Sequence, residues 1–122
     1  MTLGSAVARF DTLFPNAFPY AEKLKWISDL DGAIFYDVMS RYENGPDKTF
    51  EPYVLTTDKH TVLLVPCPYD DIYIKYLSAQ CDLAAGDSVR YQNSAAVFNT
   101  AYSEFAAHYN RTHTHKNTQI SF

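Results

Sequence analysis

Three sets of side chains have the types that chemistry uses. Asp70 and Asp71 stand together in the stretch LLVPCPYDDIYIKYL, residues 63–77. Paired carboxylates serve acid–base work when both face one substrate. Adjacent residues on a helix point about 100° apart, so these two diverge, and starting a helix is the favoured role. Cys67 lies between Pro66 and Pro68 and would be a nucleophile only if a neighbouring base lowered its pKa. Nothing around it resembles a protease or phosphatase loop, and a small buried thiol filling a rigid turn is the expectation. His108, His113 and His115 make an H-x4-H-x-H cluster. Its spacing matches no established metal knuckle and no thiolates accompany it, which leaves solvated histidines near the chain's end. The four glycines are isolated, and neither a G-x-S-x-G elbow nor a C-x-x-C pair occurs. The expectation is a non-enzymatic protein with no catalytic residues, no metal ligands and no cofactor.

The chain has 122 residues, enough for one domain. A chain of this size buries roughly 65–70% of its unfolded surface, so a core without staples is feasible. A hydrophobic fraction of 47% and an aromatic fraction of 16% argue against disorder. Ten Tyr against one Trp suit surfaces that are half core and half contact. The net charge of −4 and the lack of a basic stripe speak against autonomous nucleic-acid binding. Cys67 and Cys81 make no disulfide framework. Arg9 and Asp11 interrupt the N-terminal apolar residues too early for a signal peptide. No run approaches the roughly 20 apolar residues of a membrane span. A soluble, intracellular protein with no membrane partner is expected.

The elements that must position these groups are helical. Leu3, Val7, Phe10 and Phe14 recur at helical spacing over residues 2–14. A second helix starts near Pro19 and carries Ile27, Leu30, Ile34, Val38 and Tyr42 on one stripe, widened by Trp26 and Phe35, until Asn44-Gly45-Pro46 ends it. Gly32, inside that stripe, suggests a close crossing by another helix backbone. A third helix spans about 69–85, with Asp70 as its cap candidate and Tyr73, Tyr76, Leu77, Gln80, Cys81 and Ala84 on one face. Gly86 reads as a left-handed cap and Asp87 as the cap of a fourth helix, in a tight αα-hairpin. That helix has the cleanest seam: Tyr91, Ala95, Phe98, Tyr102, Phe105 and Tyr109. With its face buried, Phe98→Ala would cost about 3–5 kcal/mol.

Residues 47–66 lack a helical period and favour extended backbone. They are expected to form an extended arm or short β-hairpin, which must lean on the helices or on another chain. Tyr53, Val54, Leu55, Val62 and Leu64 are its candidate subunit contacts. The fold expectation is therefore mainly α: a compact bundle of about four helices with this arm, a single domain over residues 1–110, and a flexible tail over 111–122.

Several phrases in the chain resemble the small head–tail connector (neck, or adaptor) proteins of tailed bacteriophages and prophages. One is Leu63 to Tyr73, LLVPCPYDDIY. Others are Tyr91-Gln92-Asn93-Ser94, Phe98-Asn99-Thr100-Ala101-Tyr102 and Tyr109-Asn110-Arg111-Thr112-His113. The opening TLGSAVARFDTLFPN and WISDLDG at residues 26–32 also fit. Gln92 stands where that family often has Asn, and Cys67 where a small apolar residue is common. The resemblance implies a helical, non-enzymatic virion protein that assembles with itself as a ring between portal and tail-side connector proteins. Such a subunit takes part in head completion and in DNA packaging and retention, with DNA passing through a channel without sequence-specific contact. It would be made in the bacterial host cytoplasm and end in the virion neck. A net negative charge suits a lumen that should not grip phosphates.

Two other classes compete. One is a small non-enzymatic protein-interaction or regulatory module encoded in a prophage, using the same Tyr-rich surfaces. The other is a metal-dependent hydrolase built on the C-terminal histidines, which predicts stoichiometric metal.

Overall fold

The computed structural model describes residues 1–42 and 49–113. Asn44-Gly45-Pro46, the start of the expected arm, His115 and most of the expected tail lie outside these residues. Four helices make a mainly helical, bundle-like fold: α1 (Leu3–Leu13), α2 (Tyr20–Asp37), α3 (Ile72–Ala84) and α4 (Ser88–Thr112).

α1 begins where Thr2 and Ser5 cap each other reciprocally, each side chain taking the other's backbone N–H. Leu3, Ala6, Val7 and Phe10 are buried. Phe14 shares their spacing but is exposed, because the backbone turns extended at that residue and the helix stops before it. Pro19 precedes α2 in extended conformation, and Glu22 lies in the first turn. The stripe of Leu24, Ile27, Leu30, Ile34, Val38 and Tyr42 is buried throughout. The expected single helix is shorter, however. α2 ends at Asp37 and the chain tightens into a 3-10 turn at Met39–Arg41, a common way for a helix to finish. Above Gly32 lies the ring of Phe50, 3.4 Å from where a Cβ would stand, and not a helix backbone.

A 3-10 turn, Tyr69–Asp71, comes before α3. That extra turn moves the cap position of α3 to Asp71, so the expected cap, Asp70, makes no capping hydrogen bond. Its carboxylate lies 3.7 Å from the Met1 amino group instead. Cys67, expected buried, is exposed; the turn has it on the outside. On α3, Ile72, Tyr73, Ile74, Leu77 and Ala79 are buried. Tyr76, Gln80 and Cys81 are half-buried and Ala84 is exposed. The buried face is wider than a single stripe because α1, α2 and α4 all pack on this helix. Burial pushes the Cys81 thiol up to about 11, the behaviour of an inert core cysteine.

Gly86, at φ +76°, closes α3 in the left-handed region, which costs glycine nothing. Asp87 then stands at the start of α4, its carboxylate accepting the Arg90 N–H at 3.0 Å. α3 and α4 share the most extensive interface of the fold. Tyr76 meets Phe98 across it at 4.9 Å, Tyr69 of the preceding 3-10 turn meets Phe105 at 6.2 Å, and Phe105 meets Tyr109 along α4 at 6.0 Å. Burial is uneven. Ala101, Phe105 and Tyr109 are buried, while Phe98 and Tyr102 are half-buried. α4 continues to Thr112, two residues into the expected tail.

The arm forms no strand among the described residues. Among those residues an antiparallel bridge joins Thr2 and Val62. A hairpin is not required, because several of the arm's backbone groups bond to the body of the protein.

The core seam makes a graded prediction. Phe105→Ala should lower stability by about 3–5 kcal/mol. Phe98→Ala should cost clearly less, since its ring is only half covered. Urea midpoints of the two variants compare them directly.

Candidate functional site: a clamped arm

Two clusters of hydrogen bonds hold the arm, besides Phe50, whose N–H donates to the Tyr36 hydroxyl at 3.1 Å. The first is the start of α1. A helix begins with N–H groups that have no partner inside it. Here Leu3 N–H donates to the Thr61 carbonyl and Gly4 N–H to the Lys59 carbonyl, both at 2.8 Å, while Leu63 N–H donates to the Met1 carbonyl at 3.0 Å. The approach is tight at Gly4, where any side chain would need the Lys59 segment to give way. A Cβ on Gly4 would meet the Lys59 Cβ at 3.0 Å and its carbonyl oxygen at 3.1 Å.

The second place is Asp31, a carboxyl group on α2 with no solvent exposure. Tyr73 of α3 donates its hydroxyl to Asp31 Oδ1 at 2.6 Å. Tyr53 of the arm donates to Oδ2 at 2.6 Å, and Leu64 N–H reaches the same oxygen at 3.2 Å. Val65 N–H donates to the Tyr73 hydroxyl at 2.8 Å, and Tyr53 N–H to Ser28 Oγ at 3.0 Å. One acid thus ties two helices to both ends of the arm. Leu63 and Val65 are buried beside it, adding apolar contact to the polar clasp.

Between these anchors the chain projects outward. Thr57 N–H donates to the Val54 carbonyl, and Val54 N–H to Thr57 Oγ1, both at 2.8 Å, closing a small turn. At its edge Val54 and Leu55 are 54% and 69% exposed, and farther along Val62 is 70% exposed. The five contact candidates therefore divide. Tyr53 and Leu64 bond within their own chain through Asp31, and Val54, Leu55 and Val62 are exposed.

Burial raises the Asp31 carboxyl above its ordinary value, against the hydrogen bonds from Tyr53, Tyr73 and Leu64 that lower it. Burial first, and then the charge of Asp31, holds both phenols far above the usual tyrosine range. Chemically this arrangement holds: both carboxyl oxygens are engaged by donors that keep their protons. The other candidates do not converge on it. His108 stacks on Tyr69 and His113 on Tyr109, with centroids 4.7 Å and 3.7 Å apart. Among the described residues no group of three or more His, Cys, Asp or Glu side chains could hold a metal ion. No helix among them is long and apolar enough to cross a membrane.

Asp31, Tyr73 and Ser28 are the site residues that pattern reading misses. The available signal was position: Asp31 falls between Ile27 and Ile34 at steps of four and three, where the stripe calls for an apolar residue. A polar residue on a core stripe implies a buried partner.

Two predictions follow from the clasp. Tyr53→Phe should cost about 1–3 kcal/mol, the range for removing one partner of a buried polar group. Tyr73→Phe should cost more, because it strands Val65 N–H as well as Asp31; chemical denaturation of the two variants checks the order.

The pH dependence has a definite sign. The unfolded tyrosines ionise near 10.0, while Tyr53 and Tyr73 hold their protons when folded. Their contribution is complete below that pH and declines as pH rises beyond it, since the unfolded chain then releases protons that the folded chain keeps. Urea midpoints taken from pH 8 to about pH 11 should fall on the alkaline side, and less steeply in Tyr53→Phe. The raised Asp31 carboxyl has the same sign: its contribution is complete below 3.8 and is lost as pH rises through its folded value.

Compared with known proteins, the chain matches no family model, no curated protein and no solved structure.

Proposed function

We propose that this protein is a structural subunit of a phage or prophage head–tail connector, assembling as a ring between portal and tail-side proteins. In this role it serves head completion and the retention and passage of packaged DNA. The observation that carries the proposal is where the connector-like phrases meet. WISDLDG supplies Asp31, LLVP supplies Leu64 and Val65, and PYDDIY supplies Tyr73, all within one hydrogen-bonded clasp. Phrases far apart in sequence thus share one physical task, which is to fix an arm whose apolar tip faces outward. A ring subunit needs such a pairing of a rigid body with an element that reaches a neighbour, since head-to-tail contacts close a ring when their rotation closes. The fold class agrees with the resemblance only at the level of a mainly helical protein.

A second class, a small non-enzymatic interaction or regulatory module, would use the same exposed Val54, Leu55 and Val62. Location separates the two. In a phage or prophage that carries the gene, deletion should leave filled heads and free tails that fail to join, with complementation restoring intact particles. Immunogold labelling of purified particles should mark the neck. Normal infectious particles after deletion, or complete particles devoid of the protein, would replace the connector with the regulator.

A further inference from the structure

The exposed turn has a counterpart elsewhere on the molecule. A groove of about 390 Å³ lies between the end of α1 and the facing sides of α3 and α4. Phe14, Ser78, Ser94 and Val97 line it, with Phe14 42% and Val97 51% exposed. Its charged lining is Lys75, Arg90 and Asp82. Arg90 reaches Asp82 at 3.9 Å, while Lys75 makes no ion pair among the described residues. The lining therefore carries one net positive charge.

The turn has the opposite balance. Val54 and Leu55 form its apolar edge, with Glu51 and Asp58 exposed on either side. Lys59, the nearby cation, is drawn over the Tyr20 ring at 5.2 Å from its centroid. An apolar knob with net negative flanks thus stands on one set of elements, and an apolar groove with a net positive lining on another. Such complementarity steers and orients association.

We infer that the Val54–Leu55 turn of one subunit seats in the groove between α1, α3 and α4 of an identical neighbour. Glu51 and Asp58 then face the neighbour's Lys75 and Arg90. The inference rests on the connector proposal for its partner, a second copy, and adds the two surfaces that meet. Because knob and groove are different surfaces, the contact is heterologous and repeats from subunit to subunit instead of closing as a two-fold dimer. The clasp at Asp31 acts as a positioning device for the knob, since it fixes Tyr53, the residue just before it.

Paired cysteines test this without requiring a stable oligomer. Two differently tagged proteins are made in a Cys67→Ser, Cys81→Ser background, one with Leu55→Cys and the other with Val97→Cys. They are mixed at millimolar concentration, where even a contact of millimolar Kd is well populated, and oxidised. The expected result is a cross-linked heteropair that exceeds either homopair several-fold. Arg90→Glu on the groove partner should reduce it several-fold, and Glu51→Arg on the knob partner should restore it. Arg90→Glu leaves untouched the backbone N–H that Asp87 caps. Absence of the heteropair, equal yields of Leu55 homopair, or indifference to the charge exchange would each overturn the inference. Failure here with neck labelling intact would leave the connector proposal standing. Heteropairs from a protein missing from particles would do the reverse.

Discussion

A carboxyl group without solvent exposure sits at the junction of α2, α3 and the arm, and it sets the terms for everything around it. Removing an acid from water is costly unless donors replace the lost hydration. Asp31 meets that demand with two phenols and one backbone amide. Those donors come from positions 53, 64 and 73, so satisfying the acid brings three distant parts of the chain to one point. Once Tyr73 is committed, its hydroxyl oxygen is free to accept Val65 N–H, and the arm's return path is fixed as well. The amides of Tyr53, Leu64 and Val65 need no β-partner, because side chains of the helices accept them.

The clasp also explains a division of labour along the arm. Tyr53, Leu63, Leu64 and Val65, which bond to Asp31, Tyr73 or the Met1 carbonyl, are buried or half-buried. Residues in the turns between, above all Val54 and Leu55, keep their apolar side chains in solvent. Isolated exposed apolar residues are ordinary on protein surfaces. Here they stand on a segment held at both ends, so they are presented in a fixed position, and preorganisation of this kind lowers the ordering cost of binding.

Much of the helical body was legible from periodicity. The stripe from Leu24 to Tyr42, Gly86 as a left-handed cap and Asp87 at the start of α4 all follow from local rules, because helix faces and caps are set by neighbours three and four residues away. What escaped was non-local. Asp70 looked like a cap because sequence does not reveal the 3-10 turn that moves the helix start to Asp71. Residues 47–66 left an extended arm and a short hairpin both open, because extended residues say nothing about which partner satisfies their backbone. Asp31 was hidden for the same reason: its partners lie 22, 33 and 42 residues away. Phe98 shows a related limit, since a regular seam fixes direction but not depth, and α4 is covered more completely around Phe105 than around Phe98.

The seating of Lys59 and Thr61 on the first amides of α1 has a mechanical consequence. Those carbonyls complete the end of a helix, so the loop and α1 share their bonds, and neither can shift without uncovering the other. Tension applied at the outer turn would be divided between α1, through these amides, and the α2–α3 pair, through the carboxyl group. Load entering at a small apolar tip would therefore spread into three helices, in the way a bracket bolted at several points passes its weight to the wall.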